Sequence, residues 1–129
     1  MTDRSEQMKK LEQIGIRASE GMEQFGEELY LKELEQFVRG QDFLRLGQAV
    51  TRGQWSAAMM TMRRIGQTME RLKMQSMKKF LPQLQNTFAR KNTAQAKNVL
   101  ALLTQKRVQI IRILAEEQKQ ADMKGGQIL

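Results

Sequence analysis

The chain has 129 residues, a net charge of +8, one proline, and neither cysteine nor histidine, which is length enough for one core without covalent staples. Lacking thiol and imidazole, it has no disulfide, no thiolate or imidazole metal ligand and none of the usual catalytic triads; no carboxylate cluster has metal-binding spacing, so no cofactor or metal and no enzyme activity are expected, although nothing forbids catalysis by a lysine or carboxylate. The charge is lopsided: residues 1–39 hold nine acids and six bases, residues 40–129 hold five acids and sixteen bases, and between Phe43 and Ala115 Glu70 is the only acid against fourteen bases.

Few β-branched residues and abundant Met, Leu, Gln, Glu, Lys and Ala point to helix nearly throughout. Met8, Leu11, Ile14 and Ile16 make a short apolar pattern that runs into Gly15, predicting a brief first helix. Residues 19–25 are expected to add one or two turns, with Ser19 as N-cap and Gly26 as stop. Leu29, Tyr30, Leu34, Phe37 and Val38 then recur at helical spacing. Gly40 interrupts them, and Asp42 is placed to cap a continuation through Phe43, Leu44, Leu46, Ala49 and Val50 that ends at Gly53. The next helix is expected from near Gln54 to about Met74. A fourth, over residues 75–91, should bury Met77, Phe80, Leu81, Leu84 and Phe88, with Pro82 kinking it. Asn92 caps the last helix, with Gln95 placed for the reciprocal half of a capping box. Its stripe of Ala96, Val99, Leu100, Leu103, Ile110, Ile113 and Leu114 would reach about 45 Å if carried to Met123, at roughly 1.5 Å per residue. Gly125-Gly126 is expected to release a frayed tail over residues 124–129. Long helices joined by connections of a few residues run antiparallel. The expected fold is all-α, an up-down-up-down four-helix bundle with a short N-terminal helix and a long C-terminal helix, in a single domain over residues 1–129.

The central helix has two faces. At about 100° per residue, Ser56, Met59, Gly66, Gln67 and Glu70 fall within about 60° of Arg63, and Ala58, Met62, Ile65, Met69 and Leu72 gather opposite. The second set reads as a core stripe and the first as a solvent face centred on an arginine. Glycine in a helix interior costs about 1 kcal/mol against alanine, so Gly66 on that outer face is expected to leave room for a partner, unless it is tolerated drift.

This stretch resembles the active helix of histidine phosphotransfer domains, which opens with Gly-Asp and carries Ala-His-x-Leu-Lys-Gly before an Asn-Leu-Gly-like turn. Without a gap, Gly53-Gln54 takes the Gly-Asp place, Met62 the alanine, Arg63 the histidine, Ile65 the leucine, Gly66 the lysine, Gln67 the glycine and Leu72 the leucine of the turn. Upstream, Gly21-Met22-Glu23-Gln24-Phe25-Gly26-Glu27-Glu28-Leu29-Tyr30-Leu31 is similar to the Gly-Leu-x-Arg-Phe-Gly-Gly-Asp-x-x-Leu-Tyr segment of bacterial members. Phe37 fits a phenylalanine one helix face later, and Leu84 with Phe88 fits the fourth helix, so the resemblance covers residues 11–115.

The active-site letters depart from the family. Arginine stays protonated, has no lone pair to attack phosphorus and only donates hydrogen bonds. The family's lysine is replaced by Gly66; a one-residue slip puts Met62 at the histidine place but turns the apolar stripe. No covalent phosphorelay step is expected in either register. The resemblance implies instead a docking surface for a response-regulator receiver, whose pocket is a cluster of carboxylates that Arg63, with Arg64 beside it, would meet as a fixed charge. The candidate partner-binding residues are Met59, Arg63, Arg64, Gly66, Gln67 and Glu70. A basic nucleic-acid binder is the rival reading, supported by the acid-poor span and opposed by Trp55, Phe37, Phe43, Phe80 and Phe88, which sit at core-like positions rather than on a stacking platform. A self-associating bundle is the third, suggested by the long last helix and by Met59-Met60. No apolar run approaches the roughly 20 residues of a membrane span, and Met1-Thr2-Asp3-Arg4-Ser5-Glu6 lacks a signal-peptide pattern, so a soluble cytoplasmic protein is expected.

Overall fold

Glycine and polar punctuation divides the chain into eight helices in the computed structural model, which describes the backbone of residues 4–128 and the side chains of residues 6–116. They are α1 (Arg4–Gln13), α2 (Ala18–Phe25), α3 (Glu27–Arg39), α4 (Asp42–Thr51), α5 (Trp55–Arg71), α6 (Gln75–Lys78), α7 (Leu81–Ala89) and α8 (Thr93–Ile128). No strand occurs among the described residues, and no helix there is long and apolar enough to cross a membrane. The fold is all-helical, with more segments than the expected four long helices and one short one.

Each helix contributes to one core, from Leu11 through Tyr30, Leu34, Leu46, Ile65, Met77 and Leu84 to Leu103 and Ile110. Four helices touch in a closed order: α4 on α5, α5 on α7, α7 on α8, and α8 back on α4. The first three helices cover this group, with α1 against α8 and α2, and α3 against α2 and α8.

Several local expectations are corrected. Pro82 does not kink a continuous helix; it lies in the first turn of α7, after a break at Lys79 and Phe80 that leaves α6 as a single turn. There its missing N–H costs nothing, because first-turn donors have no intrahelical partner. Ser19 is not a cap: α2 already starts at Ala18, and the Ser19 N–H donates to the Glu12 carboxylate at 3.1 Å, borrowed from α1. Hydrogen bonding from Ser19, by its side chain first and this N–H second, holds the Glu12 carboxyl below its ordinary range. Asp42 is the first residue of α4 rather than its cap, and its carboxylate reaches Arg45 and Arg64 instead. Gly125-Gly126 does not end α8, whose backbone stays helical to Ile128; residues 1–3, Leu129 and the side chains beyond Glu116 lie outside the described residues.

Asn92 does cap α8, its Oδ1 accepting the Gln95 N–H at 3.1 Å. Asn92→Ala is therefore expected to lose about 1 kcal/mol of stability, read as a shift in the urea midpoint.

The N-terminal third is clasped to the far end of α5. The Arg17 N–H donates to the Lys73 carbonyl at 2.9 Å, and the Ser76 N–H donates to the Gly15 carbonyl at 3.0 Å. Gly15 has φ +87° and a Cβ there would lie 2.4 Å from the Ser76 Cβ, so both backbone and space require glycine. Buried Tyr30 completes the clasp, its hydroxyl donating to the Leu72 carbonyl at 2.7 Å, one of the unmatched acceptors at the end of α5.

Candidate protein-docking site on helix α5

α5 is placed by the stripe read from its sequence: Ala58, Met62, Ile65, Met69 and the following Leu72 are all buried. Arg63 on the opposite face is exposed and makes no hydrogen bond or ion pair with any described residue. Gln67 is likewise exposed one turn on.

The other candidates are engaged within the fold. Arg64 reaches the Asp42 carboxylate at 3.4 Å, tying α5 to α4. Glu70 pairs with Lys78 of α6. Gly66 corrects an expectation outright: it is half-buried, and a Cβ there would lie 2.9 Å from Leu81 Cδ1. Its missing side chain makes room for α7 of the same chain, not for a visitor.

Met59 and Arg63 share an open groove with residues that are remote in sequence. Its lining includes Trp55, Ser56 and Met60 of α5, Phe88 and Ala89 of α7, and Lys91 in the turn beyond. Trp55 is half-buried and tilts against Phe88 with ring centroids 5.8 Å apart, while Met60 is 70 % exposed. Phe43, Phe80 and Phe88 are buried as expected; Phe37 and Trp55 are only partly so. Lys91 closes α7 with φ 53°, a left-handed conformation that turns the chain into α8. No acid lines the groove and no acid lies in the first turn of α5, so the charged side chains lining it, Arg63 and Lys91, are both cationic.

The periodicity of α5 exposes Met59, Met60 and Arg63, but it gives no signal for Phe88, Ala89 and Lys91, which arrive only because α7 packs on α5. Chemically the groove offers a guanidinium fork, an ammonium and soft apolar walls. It offers hydrogen-bond donors to an anion and adaptable thioether contact to an apolar side chain. It offers no imidazole, the group on which a histidine phosphotransfer domain carries its phosphoryl. Among the described residues no three carboxylates converge to hold a metal. No protein-family model, curated protein or solved structure matches the chain.

Proposed function

We propose that this chain is a non-catalytic signalling domain of the histidine phosphotransfer type, in which Arg63 replaces the phosphoacceptor and docks against an acidic protein partner, a response-regulator receiver. In this reading α4, α5, α7 and α8 are the four limbs of an up-down-up-down bundle, their closed packing order and short connections supporting that arrangement. The observation that carries the proposal is Arg63 itself. It stands without an ion-pair partner among the described residues at the centre of the outer face of α5, directly opposite a fully buried stripe, and beside an apolar groove. An arginine so placed pairs with a carboxylate cluster through two parallel hydrogen bonds and serves as a decoy, inhibitor or adaptor rather than a carrier.

The test is titration of the cytoplasmic protein with a panel of purified receivers from the same genome. At least one is expected to bind, and Arg63→Glu should weaken that complex at least tenfold, or by about 1.4 kcal/mol, at unchanged melting temperature. No binding, or binding indifferent to Arg63→Glu, would end the proposal. The acid-poor span from Phe43 to Ala115, with Glu70 against fourteen bases, favours a nucleic-acid binder as the second reading. Tight binding to mixed-sequence duplex DNA that falls steeply with salt would put that reading in first place.

A further inference from the structure

A second groove, separate from Arg63, lies between α4 and α8 at the end of α3. Three arginines reach it, Arg39, Arg52 and Arg107, and none of the residues lining it is acidic. Arg39 is partly satisfied by Glu35 at 3.2 Å, and Arg52 has no ion-pair partner among the described residues. Arg107 is the unusual member. Its Nε and Nη2 donate to the Val38 carbonyl at 3.1 and 2.8 Å, and its guanidinium carbon sits 4.3 Å from the centroid of the Phe43 ring. The charge is half-buried, held by a carbonyl and a ring, and no described carboxylate neutralises it. Burial accordingly pulls its pKa below the ordinary arginine value.

The floor of the groove is Gly47, in the interior of α4. Glycine weakens a helix interior relative to alanine, and here packing does not require it: a Cβ would meet no atom within 4 Å. Leu44, one turn earlier and 58 % exposed, stands beside this opening. A glycine that leaves its space empty, next to an exposed leucine and uncompensated cations, matches a surface onto which another helix settles closely.

We propose that the groove between α4 and α8 seats an acidic amphipathic helix of a partner protein, its apolar stripe along Leu44 and over Gly47 and its carboxylates meeting Arg52 and Arg107. The apolar wall and glycine floor favour a peptide over a polynucleotide, and the absence of any lining acid favours carboxylates on the incoming helix. The site does not depend on the reading of Arg63.

The test selects binders from a displayed library of amphipathic helices with a fixed leucine stripe and randomised flanking positions, then measures the selected peptides in solution. Selected clones should be enriched in Asp and Glu, and their affinity should fall at least tenfold in Gly47→Leu and at least fivefold in Arg52→Glu. Gly47→Leu and Gly47→Ala should melt no lower than the parent chain, so lost binding is not lost folding. Failure to enrich, clones without acidic bias, or clones indifferent to both substitutions would overturn the proposal. So would a lowered melting temperature in Gly47→Ala, duplex DNA binding abolished by Gly47→Leu, or a dimer in sedimentation that Gly47→Leu dissolves, the last two assigning the groove to nucleic acid or to a second copy.

Discussion

Ile65→Ala is expected to cost about 2–5 kcal/mol of folding stability, and Arg63→Ala, two positions away, no more than about 0.5 kcal/mol. Ile65 is fully buried in the stripe that faces the core, where truncation removes transfer energy and leaves a cavity that close-packed neighbours fill only in part. Arg63 has no hydrogen-bond or ion-pair partner to lose among the described residues. Paired denaturant titrations measure both changes, and a constant slope keeps the comparison within one two-state scheme. The contrast bears on function, because a side chain free of structural duty is available for another molecule. A loss at Arg63→Ala comparable to that at Ile65→Ala would make residue 63 a packing residue and remove the basis for docking there.

The clasp around Tyr30 gives the second large effect. Tyr30→Phe should lower stability by about 1–3 kcal/mol, since it strands the Leu72 carbonyl in a buried place. Gly21→Ala should cost about 1–3 kcal/mol for the opposite reason, overpacking. A Cβ on Gly21 would lie 2.2 Å from the Tyr30 ring, which is itself fully buried. Burial also raises the Tyr30 phenol above its ordinary value, so the folded state binds this proton more tightly than the unfolded chain. Its contribution is therefore complete below about pH 10, the ordinary phenol value, and fades as the pH climbs beyond it. The chain has a single tyrosine, so the pH-dependent tyrosinate absorbance reports the ionisation of that group alone. Tyrosinate should appear together with loss of helix rather than ahead of it, and an early, separate ionisation would show Tyr30 to be accessible.

Helix content and most boundaries were legible in the sequence because apolar spacing and glycine stops, both local signals, set them. The buried run Ala58, Met62, Ile65, Met69 and Leu72 is the one read from angle, and Gly26, Gly40 and Gly53 fall where helices stop. What escaped required knowledge of neighbours. Gly66 looks outward on its own helix, yet Leu81 arrives from α7 to cover it. Glu70 belongs to the outer face by angle and Arg64 flanks it, and Lys78 and Asp42 reach them from elsewhere in the chain. Arg107 gave no signal, since its carbonyl partner lies 69 residues away. The same holds for Phe88 and Lys91, which share a groove with Met59 and Arg63 only through the packing of α7 on α5.

The position of the clasp along the chain has a consequence for biosynthesis. Tyr30 leaves the ribosome well before the carbonyl it bonds, which follows 42 residues later at Leu72. Arg17 and Gly15 wait longer still for Lys73 and Ser76. During translation the N-terminal segment therefore lacks its full seat, and its apolar residues Leu11, Ile16 and Leu34 are not fully covered until the turn after α5 and then α8 have emerged. Closure from the N-terminal side is then a late event, and that interval is when a chaperone has access to this polypeptide.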